Sequence, residues 1–391
     1  MTSRNFISLI LLVLSVLILS SCATNSNPDD RLIQALNPVQ ERYAPDRRVA
    51  VFSITPEWQN GILVAKGEVE NPQAKSDALS ALKLSSGVDA VDSIMVLPDP
   101  KLGEDRFGII TVSVGNVRSK PGHPEELATQ LLMGMVVKIL KERGGWRYVQ
   151  SHDDYLGWIE RESMLITNLK GVDEWVRDPK LIVTDYFAVI RSKPNAKSVP
   201  VSDVVAGALM RRGQTRGSWQ EVIFPDGRSG FIEKTMVEEY QKWRSSRKLD
   251  AENIEKSSKL FVGVPYLWGG TSPKGFDCSG YTKTVFRLNG LELNRDANQQ
   301  AIMGEDVVVG TDLLGLKKGD LLFFGRKGTE ERPERIWHVA IYLGKKEFIH
   351  CSVRVRINSL DPAAPNFDSD RLNSFVRAKR VIGISSIPEV G

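Results

Sequence analysis

The spacing of hydrophobic residues predicts a small mixed module in the first quarter of the chain. A helical pattern is followed by two alternating, strand-like segments, which Pro56 and Asn60-Gly61 separate, and then by a second helical pattern and a third alternating segment. The predicted elements are residues 31–42, 49–54, 61–69, 76–84 and 91–97. Strands and helices mixed over so short a stretch indicate an α+β module, which we assign to residues 23–104.

The next segment contains an internal repeat of short alternating runs that glycine turns interrupt. Three motifs recur in the same order, an Arg-Ser-Lys-Pro run, a glycine turn before tryptophan, and a Gly-aromatic-Ile-Glu run. They lie at residues 116–121, 145–149 and 155–160 in the first copy and at 189–194, 217–222 and 228–233 in the second. Short strands at this spacing predict two small β-barrels, residues 105–170 and 171–245.

The last part of the chain changes to a helix followed by strands. Residues 241–259 are charged and helix-prone, and they would link the second barrel to this part. A helix is predicted over residues 279–288, with Asn289-Gly290 as its stop, and strands over residues 320–324, 338–343 and 347–352. A helix that packs on an antiparallel sheet makes residues 246–391 a further α+β domain.

The first 22 residues have the pattern of a lipoprotein signal peptide. Arg4 precedes an apolar run from Phe6 to Leu19, which is shorter than the ~20 residues of a membrane-spanning helix. Leu19-Ser-Ser-Cys22 then resembles the bacterial lipobox, in which the cysteine becomes the lipidated first residue. An ordinary signal peptide and a short anchor helix are the alternatives. We expect lipidation at Cys22 and a place in the cell envelope, at the outer membrane or facing the periplasm if the cell is Gram-negative.

The composition is that of an ordinary folded protein, and its charge distribution bears on which partners the protein can bind. Hydrophobic residues make up 41% of the 391 residues and charged residues 26%, which is typical of folded domains. The net charge of +4 is spread along the chain without a basic stripe, so nucleic-acid binding is not expected. An anionic polymer remains a compatible substrate, and we expect a monomer.

One cysteine and two histidines form the candidate chemical centre. Cys278 follows a glycine-rich loop and lies directly before the predicted helix, where unpaired backbone N–H groups should lower the pKa of its thiol. His338 and His350 lie 12 residues apart in two predicted strands, so facing strands would let one imidazole orient the other. Together they are the minimum set for acyl transfer to a thiol.

Three other interpretations of these residues stay open. Cys278 could be an ordinary buried cysteine, or it could form a disulfide with Cys351, because exported proteins often use cysteine in this way. Zinc could also bind Cys278, His338, His350 and Cys351, although neighbouring strand residues point to opposite faces and should not both bind one ion.

The run from Tyr266 to Tyr281, together with the two histidines, resembles the NlpC family of cell-wall cysteine endopeptidases, which have a papain-like core. The resemblance implies that Cys278 is the nucleophile, that His338 is the base and then the acid, and that His350 orients it, without metal or cofactor. Tyr266 matches a tyrosine of the family motif Pro-Tyr-x-Trp-Gly-Gly and would assist the Cys278 backbone N–H in binding the oxyanion.

Two further residues near this motif are interpreted differently. Trp268, in the same motif, is expected to pack beneath the loop. The charged insert at residues 326–335, just before His338, departs from the compact family pattern and would either rim the pocket or form a plain loop.

The repeat resembles bacterial SH3-like domains, and two such domains before the peptidase are similar to the arrangement in dipeptidyl-peptidase VI. Those enzymes cut the γ-D-glutamyl–diamino-acid bond of cell-wall peptides whose N-terminal L-alanine is free. An ammonium in a closed pocket requires carboxylates and an aromatic group. The resemblance therefore implies a set of substrate-binding residues, Glu126, Tyr155, Asp277, Ser279, Arg295 and Asp296. Glu125 is the alternative to Glu126, and a solvated surface acid is the alternative role for Glu126 and Asp296.

The resemblance thus predicts a cysteine peptidase of the α+β class that trims peptidoglycan-derived peptides, with two SH3-like barrels and the small N-terminal module ahead of it. A D,L-endopeptidase that cuts intact wall is the second hypothesis, and an open cleft would favour it. A wall-binding scaffold with an inactive peptidase fold is the third.

Overall fold

The N-terminal module of the computed structural model, which describes residues 28–383, is a three-stranded sheet covered by two helices. The strands pair in the order β1-β2-β3, with β1 and β2 antiparallel and β2 and β3 parallel. Asn60 and Gly61 both have positive φ and form the tight turn of the first hairpin. The elements are α1 (Pro28–Tyr43), β1 (Phe52–Gln59), β2 (Ile62–Val69), α2 (Pro72–Ser86) and β3 (Val91–Val96).

The repeat folds into two seven-stranded sheets. The strands of the first are β4 (Phe107–Ile110), β5 (Val114–Arg118), β6 (Leu127–Leu132), β7 (Val136–Arg143), β8 (Trp146–Gln150), β9 (Leu156–Glu160) and β10 (Met164–Thr167). After α3 (Leu169–Arg177), the second has β11 (Lys180–Val183), β12 (Phe187–Arg191), β13 (Pro200–Val205), β14 (Leu209–Arg216), β15 (Trp219–Ile223), β16 (Ser229–Glu233) and β17 (Val237–Glu239). The strand orders, β6-β5-β9-β8-β7-β4-β10 and β13-β12-β16-β15-β14-β11-β17, are the same topology.

The last part of the chain packs helices against a six-stranded sheet of order β20-β25-β21-β22-β23-β24. Its helices are α5 (Ala251–Lys259), α6 (Cys278–Arg287), α7 (Ala297–Gln300) and α8 (Ser369–Asn373), and the preceding α4 (Tyr240–Ser246) packs on β11 and β17 of the second SH3-like domain. A short hairpin of β18 (Thr271–Ser272) and β19 (Gly275–Phe276) precedes α6. The sheet strands are β20 (Glu305–Val307), β21 (Leu321–Arg326), β22 (Arg335–Gly344), β23 (Glu347–Ser352), β24 (Arg354–Ser359) and β25 (Phe375–Arg380).

Helix α6 lies against the centre of that sheet. Tyr281, Val285 and Phe286 of the helix share one buried core with Val339 of β22 and Ile349 of β23. The fold class predicted from the sequence, an α+β peptidase domain behind two SH3-like domains and a small module, is therefore confirmed. The predicted linker at residues 241–259 forms two helices, α4 and α5.

Buried hydrogen bonds and ion pairs connect the first SH3-like domain to the peptidase domain. The backbone and side chain of Gln130 exchange hydrogen bonds with Thr271 at 2.9 to 3.2 Å. Lys283 of α6 pairs with Asp153 at 3.0 Å and with Glu292, and all three side chains are buried. Since a buried charge without a partner is costly, these contacts fix the first SH3-like domain beside α6.

Cys22 and the predicted signal peptide lie outside the described residues. Across residues 28–383, we find no helix with the length and apolar character that crossing a bilayer requires.

Candidate active site

The start of α6 is built around Asp277, which caps the helix. Its Oδ1 accepts a hydrogen bond of 2.7 Å from the backbone N–H of Gly280, and its Oδ2 accepts one of 3.0 Å from Gly269. A Cβ at Gly280 would lie 2.1 Å from the carbonyl oxygen of Gly270, so only glycine lets the helix approach the preceding loop this closely. The motif Asp-Cys-Ser-Gly therefore sets Cys278 as the first helical residue.

Arg295 holds the cap in place from the opposite side. Its guanidinium donates to both carboxylate oxygens of Asp277, at 2.6 and 3.2 Å, and to the hydroxyl of Ser279 at 3.0 Å. Arg295 is almost completely buried. Asp277, Ser279 and Arg295 thus form one network around the nucleophile, and they all border the cavity described below.

The two histidines meet on neighbouring strands. Nε2 of His338 lies 2.8 Å from Nδ1 of His350, and the other nitrogen of His350 lies 3.2 Å from Oδ1 of Asn358. Because an amide oxygen only accepts, His350 donates from Nε2 and accepts at Nδ1. His338 then donates from Nε2, which leaves its Nδ1 unprotonated and able to take a proton. The sequence did not indicate Asn358, whose position on β24 follows only from the strand register.

The thiol of Cys278 lies beside the same strand. Its Sγ is 4.0 Å from the carbonyl oxygen of Trp337, the residue before His338. Within residues 28–383, the thiol forms no hydrogen bond to either imidazole. The structure therefore brings the candidate nucleophile to the strand of the candidate base, and a small movement of either side chain is needed before the two can form a hydrogen bond.

The protonation states differ from those expected from the sequence. Burial raises the pKa of Cys278 to about 12, the Asp277 carboxylate acts in the same direction, and the backbone N–H groups near the sulfur offset this only in part. Burial also lowers the pKa of His338 well below 6.5, and Arg371 contributes to this. The expectation of a lowered thiol pKa at the helix start is wrong, because burial outweighs the helix terminus. Both shifts favour the uncharged forms of the thiol and the imidazole.

A cavity of about 580 Å³ opens over the thiol. Three parts of the chain line it, namely the N-terminal module, the first SH3-like domain and the peptidase domain. Tyr266 is half-buried in its wall beside Cys278, and burial raises the pKa of its phenol, so the hydroxyl stays protonated as a donor. His338 and His350 lie behind the wall and are buried.

Acidic and aromatic side chains lie in the wall that the first SH3-like domain contributes. Oε1 of Glu126 accepts a hydrogen bond of 2.6 Å from the indole N–H of Trp268, and the Tyr155 hydroxyl donates to Oδ2 of Asp296 at 2.9 Å. Trp268 is 64% exposed, so the prediction that it packs beneath the loop is wrong. A Cβ at Gly269 would lie 2.0 Å from the Leu127 carbonyl oxygen, which shows how closely this loop meets the SH3-like domain.

Several residues of the wall were not predicted. Arg47 and Arg48 reach it from the N-terminal module, and Trp337, which is 50% exposed, reaches it from β22. Of the charged insert, only Arg335 borders the cavity among the described residues. Arginine pairs such as Arg47-Arg48 carry no recognisable signal in one sequence, because what places them in the cavity is contact between distant domains.

The disulfide and zinc interpretations of the cysteines do not fit this arrangement. Cys278 and Cys351 are both free thiols, and Cys351 donates to the carbonyl oxygen of Phe276 at 3.1 Å. His350 instead pairs with His338. The side chains of His350 and Cys351 therefore point to different partners on the two faces of β23, as alternation along a strand requires.

Comparison with known proteins agrees with this geometry. The NlpC/P60 family model matches residues 263–372, and the model of the bacterial dipeptidyl-peptidase SH3 domain matches residues 117–164. The chain is similar to gamma-D-glutamyl-L-lysine dipeptidyl-peptidase of Bacillus subtilis, with 30% identity over 67% of this chain and 88% of that one. It is also similar to dipeptidyl-peptidase 6 of Lysinibacillus sphaericus, with 27% identity over 67% and 94%.

Among solved structures, an NlpC/P60 family protein from Bacillus cereus shares the fold. It superposes with a TM-score of 0.59 at 24% identity, and the match covers 71% of this chain and 99% of that one. The identity and coverage of the Bacillus subtilis relative, the matched peptidase model and the placement of Cys278 at the start of α6 lead to one conclusion. The chain belongs to the NlpC/P60 family and is a cysteine peptidase.

Proposed function

We propose that this peptidase hydrolyses the γ-D-glutamyl–diamino-acid bond of peptidoglycan stem peptides whose N-terminal L-alanine is free. The observation that carries the proposal is one continuous cavity, which extends from the Cys278 thiol to Glu126, Tyr155 and Asp296. In that wall Glu126 accepts from Trp268 through one oxygen, and Asp296 accepts from Tyr155 and Arg48 through one oxygen. An ammonium group is the ligand that such an acidic and aromatic wall favours.

The catalytic roles follow from the protonation states. The thiol proton passes to Nδ1 of His338 as the sulfur attacks the scissile carbonyl carbon, because the imidazole is neutral and the thiol is not ionised beforehand. His350 and Asn358 hold the tautomer that leaves Nδ1 free. The oxyanion accepts hydrogen bonds from the Cys278 backbone N–H and the Tyr266 hydroxyl.

The second half of the reaction releases the acyl group. The His338 imidazolium gives its proton to the leaving amine of the diamino acid, and the peptide C–N bond breaks to leave a thioester on Cys278. Water then attacks the thioester while His338 takes its proton, the C–S bond breaks, His338 returns the proton to the Cys278 sulfur, and the dipeptide leaves with a new carboxyl group. No metal or cofactor takes part in these steps as we propose them.

The relatives support this substrate class. The Bacillus subtilis and Lysinibacillus sphaericus proteins are named as a gamma-D-glutamyl-L-lysine dipeptidyl-peptidase and as dipeptidyl-peptidase 6. An enzyme that cuts intact wall would need room for the glycan attached to L-alanine. The side chains of the first SH3-like domain and of Arg47 and Arg48 occupy that end of the cavity, which favours free peptides.

Cleavage-site mapping tests the proposal. The full chain is incubated with L-Ala-γ-D-Glu-diaminopimelate and with its lysine analogue, and the products are identified by mass spectrometry. We expect release of L-Ala-γ-D-Glu, and Cys278→Ala should reduce the rate by at least about 10³-fold, as loss of a nucleophile does in related mechanisms. Cleavage at another bond, or full activity in Cys278→Ala, would contradict the proposal.

We also propose a lipid anchor at Cys22, which the lipobox pattern alone supports. It would place the enzyme in the cell envelope, where stem peptides occur. Cys22→Ser should move the protein from the membrane fraction to the soluble fraction of its host, and an unchanged distribution would contradict the anchor.

A further inference from the structure

The segment that joins α1 to β1 brings the N-terminal module into the active site. Its backbone is hydrogen-bonded to the first SH3-like domain. The carbonyl oxygen of Arg48 accepts a hydrogen bond of 2.8 Å from the Leu156 N–H, and the carbonyl oxygen of Val49 accepts one of 3.3 Å from the Gln150 side chain. The Arg48 side chain then extends to the peptidase domain, where its Nη1 donates to Oδ2 of Asp296 at 2.7 Å. One arginine therefore connects all three parts that line the cavity.

The orientation of this guanidinium is fixed before any substrate arrives. The Asp46 carboxylate accepts hydrogen bonds from Nε of Arg48 at 2.9 Å and from Nη2 at 2.7 Å, so the ion pair is bidentate. Gln299 donates to the same carboxylate at 2.7 Å from the peptidase side. Asn298 accepts a second hydrogen bond from Nη1 at 3.0 Å. Since Arg48 is held on both edges, it acts as a rigid support and not as a mobile surface side chain.

The support acts on a single oxygen of Asp296. Arg48 and the Tyr155 hydroxyl both donate to Oδ2, and the Asp296 side chain also accepts the backbone N–H of Gln299 at the start of α7, so Oδ1 receives no side-chain hydrogen bond among the described residues. The nearest cation to Oδ1 is Arg295 at 3.9 Å, which is engaged with Asp277. With Oδ2 occupied, the carboxylate cannot rotate freely, and Oδ1 is the atom that remains for a ligand.

We propose that Arg48 is a positioning residue for the substrate's amino terminus, so that the N-terminal module forms part of the specificity site. Arg48 fixes the Asp296 carboxylate with Oδ1 available to the ammonium group of the peptide. Arg48 also fills the space behind Asp296, which excludes peptides that carry a group on that nitrogen. This inference rests on the proposed function, because it concerns the amine pocket of that same site.

The test compares three variants of the full chain on free and N-acetylated L-Ala-γ-D-Glu-diaminopimelate. For Arg48→Met we expect KM for the free peptide to rise about tenfold, the factor that corresponds to about 1.4 kcal/mol, with kcat nearly unchanged. Arg48→Lys should give a KM between those of the parent and Arg48→Met, because one ammonium group can reach Asp296 but cannot form the bidentate pair with Asp46. Arg42→Met is the control, since Arg42 lies on the same module, is exposed and contacts Asp77 and Tyr43.

The readout separates positioning from stability, because a smaller folded fraction lowers apparent kcat but leaves KM unchanged. An Arg48→Met variant with the parent's KM and the parent's preference for the free peptide would overturn the inference alone. A parent enzyme that cuts both peptides equally, or neither, would overturn the proposed function and this inference with it.

Discussion

The two SH3-like domains have the same strand order, but only the first reaches the active site. In both domains an arginine at the end of the second strand donates to a backbone carbonyl of the following loop, Arg118 to Glu125 and Arg191 to Ser198. In both, the next residue of that loop accepts a backbone hydrogen bond of 2.9 Å, Glu126 from Ser119 and Val199 from Ser192. The local backbone is therefore conserved between the copies down to single hydrogen bonds.

The side chains at the matching positions differ. Glu126 borders the cavity, whereas Val199 is 72% exposed. Tyr155 contacts Asp296, whereas its counterpart Arg228 pairs with Asp226 and donates to the Thr111 carbonyl oxygen of the first domain. One copy supplies the pocket and the other supports its neighbour. The repeated fold provides the same backbone in both copies, and at these two positions only the first copy places side chains in the cavity wall.

The largest effect is expected at the contact that docks the first SH3-like domain. Lys283→Met removes the cation that Asp153 and Glu292 share and leaves His152, 3.3 Å from Glu292, as their neighbour, so we expect a loss of about 3–5 kcal/mol in the free energy of unfolding. Urea denaturation measures it. The matched change in the second domain, Arg228→Met, removes a half-exposed pair and should cost below about 1 kcal/mol. Equal losses in the free energy of unfolding of the two variants would contradict the difference that we infer between the two domains.

A smaller effect is expected in substrate binding. Tyr155→Phe removes a hydrogen bond to the Asp296 carboxylate, and such bonds to charged groups contribute about 1.5–3 kcal/mol. KM for the free tripeptide should rise by about tenfold or more, with kcat nearly unchanged. Steady-state kinetics of Tyr186→Phe in the second domain provide the control, because Tyr186 does not line the cavity and is 43% exposed. A rise in KM in both variants would point to a general loss of structure.

The smallest changes are expected in the pH dependence of kcat/KM and of thiol alkylation. His338 acts as a base only when neutral, and its pKa lies well below 6.5, so kcat/KM should stay constant as the pH falls through 6.5 and decline only below that. With the pKa of Cys278 at about 12, alkylation by iodoacetamide should keep accelerating up to pH 9 and beyond. Tyr155→Phe should not move the acidic limb.

A limb above pH 6.5, or alkylation that is already maximal near pH 7, would show that thiol and imidazole form an ion pair before substrate binds. Movement of the limb in Tyr155→Phe would show that the first SH3-like domain influences the chemistry and not only binding.

The sequence predicted the parts of this molecule that local pattern determines. The repeat, the helix that begins at Cys278 and the strand hairpin of His338 and His350 each depend on short motifs, on alternation or on a tight turn, and the structure contains all of them. The two imidazoles are in contact because residues 12 apart, on adjacent antiparallel strands joined by a tight turn, lie close together on one face of the sheet.

What the sequence did not predict depends on distant contacts. Arg48 and Asp296 are 248 residues apart, and no pattern in either segment indicates that they pair. The raised thiol pKa is a similar case, because it results from burial by the surrounding domain and from Asp277, whereas the sequence indicated only the helix terminus. Asn358 was missed since its role requires the register between β23 and β24.

The most direct test of the account is the ratio of kcat/KM for free and N-acetylated L-Ala-γ-D-Glu-diaminopimelate, measured for the parent and for Glu126→Gln. We predict that the parent prefers the free peptide by about 100-fold or more and that Glu126→Gln reduces this ratio by about tenfold, because a charged partner of the ammonium is lost. Val199→Gln in the second SH3-like domain should leave the ratio unchanged. Equal cleavage of the two peptides by the parent would contradict the claim that the first SH3-like domain selects a free amino terminus.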